Sequence, residues 1–104
     1  MPPINFNGPD TVVHGPVRLG VITALQTEGP LDFTTLVKRF EITDGAMGVH
    51  LRKLEEAGYI ATKRQFVGRR PKTTYRITAS GRRALGHYLD TMQQIIDSAG
   101  KPSA

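Results

Sequence analysis

"LDFTTLVKRFEITDGAMGVHLRKLEEAG", Leu31–Gly58, reads as two short helices in head-to-tail succession, each announced by its own cap. Asp32 fits an N-cap, and Phe33, Leu36, Val37 and Phe40 then follow the i, i+3, i+4, i+7 spacing of one buried helical face. Leu31 before the cap and Leu36 four positions into the helix form a hydrophobic staple. The device repeats: Ile42 precedes a Thr43 cap, Met47 is its staple partner, and Met47, Leu51 and Leu54 make the buried stripe that Gly58 closes. Only about three residues, from Phe40 to Thr43, separate the two helices, which is the spacing of a helix-turn-helix.

The second helix contains a conflict. Gly45 and Gly48 lie in its first turns, although glycine in a helix interior costs about 0.5–1 kcal/mol relative to alanine. One explanation is that a helix entering a DNA groove by its N-terminal turns gains from a bare backbone that can approach base edges and phosphates. The other is that both glycines lie against another helix of the same chain, where a side chain would clash.

Upstream, "TVVHGPVRLGVITALQTEG" is helical in pattern, with Pro16 suited to the first turn and Val17, Val21 and Leu25 on a stripe widened by Leu19 and Ile22. This is the expected central helix, ended by Gly29–Pro30. Residues 1–14 hold three of the seven prolines and read as an arm or short helix. Downstream, "YIATKRQFVGRRPKTTYRIT" is rich in β-branched and aromatic residues around a Gly–Arg–Arg–Pro turn, the pattern of a β-hairpin with one polar, basic face. A helix of about 20 residues follows, capped by Thr78 or Ser80, with Leu85, Leu89, Met92, Ile96 and Ala99 at steps that approach a coiled-coil seam. The expected architecture is α+β and mostly helical, with residues 15–99 as one domain and 100–104 as a tail.

A chain of 104 residues has room for one domain that buries roughly 60–70% of its unfolded surface. No apolar run approaches the roughly 18 residues of a membrane span, and no basic-then-apolar leader opens the chain, so a cytoplasmic protein is expected. The absence of cysteine removes disulfides, thiolate nucleophiles and cysteine-based metal sites. The formal net charge is +5, and it is unevenly placed. Between Ala57 and Leu89 there is no Asp or Glu, while Lys63, Arg64, Arg69, Arg70, Lys72, Arg76, Arg82 and Arg83 lie there. Such a one-signed stretch suits a polyanion, nucleic acid or an anionic membrane surface, or else is simply a solvated basic face.

In order and spacing, "GPVRLGVITAL", "MGVHLRKLEEAGYI" and "KRQFVGRRPKTTYRITASGRRAL" resemble the winged helix-turn-helix transcriptional regulators, close to their MarR-like and ArsR-like groups. The likeness runs from Gly15 to Tyr88. It implies that Thr43–Glu56 is a recognition helix for the major groove of double-stranded DNA, that Phe66–Thr73 is a wing on the phosphate backbone or in the minor groove, and that the unit is a two-fold dimer. The lack of cysteines departs from the metal-sensing members and argues against a metal effector. No cofactor is implied, and no small-molecule effector is indicated.

Within this frame Gly45, Ala46 and Gly48 permit close approach, and Thr43 caps the helix while reaching a phosphate. Val49 suits a thymine methyl, Arg52 a guanine and Lys53 a phosphate. Asp44 at the first helical position either favours the helix dipole or accepts from a cytosine amino group. Arg69 and Arg70, with Arg64 and Lys72, form a cationic wing tip stiffened by Pro71. His50 is expected to pack or hydrogen-bond at the wing base, and Glu55 and Glu56 to pair with Arg52 and Lys53. His14 and His87 show no metal-ligand spacing, and there is neither a phosphate-binding glycine loop nor a nucleophile elbow, so no enzyme is expected. Leu85, Leu89, Met92 and Ile96 either cover the domain's own core or pair with the same helix of a second subunit. A helix about 30 Å long is hard for so small a chain to cover alone. The arm, through Ile4, Phe6, Val12 and Val13, is a candidate to complete that dimer interface. A two-fold dimer in turn implies a pseudo-palindromic site.

Overall fold

The structure is a computed structural model that describes residues 10–100. The elements run α1 (Pro16–Glu28), β1 (Leu31–Asp32), α2 (Phe33–Phe40), α3 (Asp44–Glu56), β2 (Ile60–Val67), β3 (Arg70–Ile77) and α4 (Ala79–Gly100). Helix α1 is central. It begins with Pro16 in its first turn and buries Val21, Ile22, Ala24 and Leu25. Against it pack Leu36 of α2, Met47, Leu51 and Leu54 of α3, Ile60 and Ile77 of the strands, and Leu85 and Tyr88 of α4.

Both helix-turn-helix caps form as the spacing predicts. The Asp32 carboxylate accepts from Thr35 N at 2.9 Å, and the Thr43 hydroxyl accepts from Ala46 N at 3.1 Å. Thr35 hydrogen bonding, from its side chain and its backbone N–H, holds the Asp32 carboxyl below the ordinary range. The turn between α2 and α3 passes through Glu41 at φ 52°, a left-handed conformation that few residues other than glycine adopt. Thr78 caps α4, accepting from Gly81 N at 3.0 Å while donating to Gly58 O at 2.6 Å.

The sheet has three strands in the order β1-β3-β2, all antiparallel, where only a two-stranded wing was expected. Leu31 pairs with Tyr75 and Asp32 with Thr74. So short a strand has no periodicity of its own; β3 alone specifies it. The hairpin turn is also tighter than Gly–Arg–Arg–Pro. Gly68, at φ 65°, and Arg69 occupy the turn, while Arg70 and Pro71 already pair with Val67 and Phe66. A positive φ at the first central residue only is the type II′ pattern, which calls for glycine there. Pro71 is tolerated because β1 reaches only Thr74 and Tyr75, leaving β3 an edge strand at that level.

One further expectation, on the arm, changes. Val13 of the expected arm is fully buried in the core, so it is not free to complete a dimer interface. Asp10 Oδ1 accepts from Val12 N at 2.8 Å, the Tyr59 hydroxyl donates to Asp10, and His14 Nδ1 lies 3.0 Å from the Tyr88 hydroxyl. These contacts fasten the segment to the link between α3 and β2 and to α4. Ile4 and Phe6 lie outside the described residues. The glycines that packing requires are Gly20 and Gly81, not Gly45 and Gly48. A Cβ on Gly81 would stand 2.1 Å from the Tyr59 carbonyl oxygen, and one on Gly20 would stand 2.4 Å from the Phe40 ring.

Candidate nucleic-acid interface

Helix α3 presents its buried stripe, Met47, Leu51 and Leu54, to the core, which leaves its N-terminal turns outward. Thr43, Asp44, Gly45, Ala46, Val49, Arg52 and Lys53 are exposed and Gly48 is half-buried. Among the described residues nothing lies within 4 Å of a Cβ built on Gly45 or on Gly48, which removes the packing explanation for both. The N-terminal turns of α3 therefore form a bare front, with Asp44 opening the helix at its positive dipole end.

Strand alternation divides the hairpin into two faces. The register puts Lys63, Lys72, Arg70 and Arg76 on one of them. Ile60–Ile77, Thr62–Tyr75, Arg64–Thr73 and Phe66–Pro71 stack outward along the other. This second face looks towards α3. Gly48, Leu51, Arg52 and Glu55 of the helix and Thr62, Arg64 and Tyr75 of the hairpin line a single cleft of about 180 Å³. Helix α3 and the root of the hairpin are thus joined in one concave surface, with Arg52 and Arg64 on its two walls.

A larger groove of about 590 Å³ runs along the open edge of β3, between Arg70, Lys72 and Thr73 on one side and Asp32, Phe33 and Thr34 at the start of α2 on the other. Lys72 lies close enough to Asp32 to help hold its carboxyl ionised. Arg69 is exposed in the turn beyond both grooves. Phe33 and Thr34 were not among the expected site residues. They reach this groove because the start of α2 lies under β3, a tertiary placement that no local pattern signals.

The acidic residues of α3 differ from expectation. The Thr62 hydroxyl donates to Glu55, tying the end of α3 to β2, and neither Glu55 nor Glu56 pairs with Arg52 or Lys53. Among the described residues the one ion pair is Arg39–Glu28, between α2 and the end of α1, so the cations of α3 and the hairpin are not consumed by salt bridges among those residues.

Lys53 and His50 leave this cleft altogether. Lys53 lines a different depression with Thr11, Val12 and Arg18. His50 does not sit at the wing base: its Nδ1 is 3.0 Å from Arg18 Nη1, while Arg18 also donates to the carbonyls of Val12 at 2.6 Å and Thr11 at 3.3 Å. An arginine only donates, so His50 Nδ1 accepts and its remaining proton is on Nε2. Burial, then the charges of Arg18 and Lys53, lower the His50 pKa from its ordinary 6.5. On the neighbouring β2 start, the bond to Asp10 and burial push the Tyr59 hydroxyl up to about 12.

On α4, the four stripe residues separate. Leu85 belongs to the domain's own core at 1% exposure, and Met92 is half-buried against it. Leu89 and Ile96, by contrast, are 51% and 56% exposed. No helix of the described residues is long and apolar enough to cross a membrane.

Known proteins share this arrangement. An uncharacterized protein of Methanocaldococcus jannaschii is 32% identical over 84 residues, spanning 81% of this chain and 91% of the relative. Among solved structures, a transcriptional regulator homologue from Pyrococcus horikoshii OT3 is 28% identical, with TM-score 0.77 over 85% of this chain and 87% of that one. An ArsR family transcriptional regulator is also 28% identical, with TM-score 0.63 over 89% of this chain and 91% of that one. The family model described as winged helix DNA-binding domain matches residues 17–96. With the helix-turn-helix, the wing and the cleft between them in place, the chain belongs to the winged helix DNA-binding domain family.

Proposed function

We propose that this protein is a dimeric transcriptional regulator of the cytoplasm that binds a pseudo-palindromic site on double-stranded DNA without catalysing a reaction. The observation that carries the reading is the shared cleft: Gly48 and Arg52 of α3 face Arg64 of β2, so one duplex can engage both elements. Helix α3 enters the major groove by its bare front, where the unhindered backbone of Gly45, Ala46 and Gly48 approaches the bases. Arg52 takes a guanine, Val49 a thymine methyl, and Thr43 a phosphate; Asp44 serves the helix dipole. Arg69, Arg70 and Lys72 hold the backbone of the adjoining minor groove, and Lys53, on the other flank of α3, reaches a separate phosphate.

The dimer rests on α4. Leu89 and Ile96 are exposed, with Met92 between them on the same stripe, and a second copy of α4 would cover all three. A two-fold axis then sets two recognition helices about 34 Å apart, one turn of duplex. The experiment is selection of bound fragments from a random pool of duplexes. An inverted repeat among the recovered sequences is the expected result, whereas recovery no better than random would reduce the protein to an architectural binder.

A further inference from the structure

Phe66 is 74% exposed, the most exposed of the large apolar side chains among the described residues. The register explains why the core cannot take it. Along one face of the hairpin the pair Ile60–Ile77 is buried and Thr62–Tyr75 is half-buried. Phe66–Pro71 lies two pairs further out, at the far end. A phenyl group left in water forgoes the stabilisation of burial, and threonine or valine would serve the strand as well.

Its surroundings indicate what could cover it. Phe66 shares its face with Arg64, on the side that looks towards α3; Arg69 lies in the turn and Arg70 on the opposite face. An exposed apolar ring with one guanidinium on its own face and others at the turn and on the reverse face matches a surface with stacked rings inside and phosphates outside. Those are the bases and backbone of a duplex. Phosphates alone need cations and give a phenyl ring nothing.

We infer that Phe66, backed by Pro71, is an apolar wedge that enters the minor groove beside the sequence read by α3 and partly unstacks one base step. The wing then selects for deformability, favouring a pyrimidine–purine step at that position, in addition to holding phosphates. This inference rests on the DNA-binding reading above.

The test uses the full chain and a duplex recovered by selection, with 2-aminopurine replacing each adenine near the wing in turn. Wild-type protein should raise the probe's fluorescence at one step per half-site. Phe66→Ala should abolish the rise and weaken binding about tenfold, within the range of a single base–aromatic stack. The log affinity against log salt slope should stay unchanged, since the group removed is neutral. Phe66→Leu, still apolar, should restore part of both signals, and circular dichroism should show all variants folded, because the side chain is exposed. Wild-type fluorescence and affinity in Phe66→Ala would overturn the wedge and leave the DNA reading standing. Failure of the wild-type protein to bind any duplex would overturn both.

Discussion

Replacing Gly48 should make the protein more stable and a worse DNA binder. The residue lies five positions into α3, and a Cβ there meets nothing within 4 Å. Alanine in an open helical site gains about 0.5–1 kcal/mol over glycine. For a domain of this size that is a rise in melting temperature of about 2–8 °C. The same methyl points into the cleft that Gly48 shares with Arg52 and Arg64, where the duplex must approach. Gly48→Ala should therefore cost some affinity, and Gly48→Leu more. If the larger side chain displaces one good base contact, the loss is about ten- to hundredfold. Thermal melts by circular dichroism and a fluorescence-anisotropy titration on a selected duplex give the two quantities. A Gly48→Ala variant that melts below wild type would show that the space is not open. Stable variants with undiminished affinity would show that the bare front has no role in DNA contact.

Other consequences follow from the same geometry. An Arg69→Ala, Arg70→Ala double variant should flatten the log affinity against log salt slope by about 0.9 for each phosphate no longer neutralised; an unchanged slope would remove the wing tip from the interface. Gly81→Ala should destabilise by about 1–3 kcal/mol in denaturant melts, because its Cβ would meet the Tyr59 backbone carbonyl rather than a movable side chain. His50 should titrate below 6.5 by NMR, with its neutral form protonated on Nε2, and Arg18→Gln should raise that pKa by removing a nearby positive charge. Because the folded pKa is depressed, this contribution to stability is present above about pH 6.5 and is lost as pH falls through the folded value. Leu89→Asp with Ile96→Asp should give a folded monomer by analytical ultracentrifugation, and a wild-type protein already monomeric at micromolar concentration would refute the α4 interface.

What could be read from the sequence was local. The caps at Asp32 and Thr43, Pro16 at the start of α1, and the hairpin around Gly68 are each set by a few neighbouring residues. All of them appear in the fold. What could not be read depends on residues far apart in the chain. Strand β1 exists only because β3 lies beside it, and Glu55 turns to Thr62 rather than to its helical neighbours. His50 borders the core stripe as its position implies, but which element lies over it is a tertiary matter, and Arg18 of α1 occupies that place. The two kinds of glycine look alike in sequence. Gly81 is dictated by a backbone oxygen from another element, whereas Gly48 faces open space.

For the candidate site, the charge was legible and its arrangement only partly so. An acid-free stretch from Ala57 to Leu89 marks the wing as cationic, and alternation along β3 separates Arg76 from Tyr75. The exposure of Phe66 could have been suspected from an aromatic residue so near the hairpin turn, beyond the reach of a small core. The departure of Lys53 to the opposite flank of α3 could not, because it depends on where residues 11–18 cross the helix.

The central claim is that α3 and the wing present one surface to one duplex. An NMR titration of isotope-labelled protein with a selected duplex tests it most directly. Amide shifts should move together at Thr43–Arg52 and at Arg64–Lys72, at a common stoichiometry, while Leu89–Ile96 stays unperturbed. Shifts confined to only one of the two elements, or centred on α4, would contradict the account.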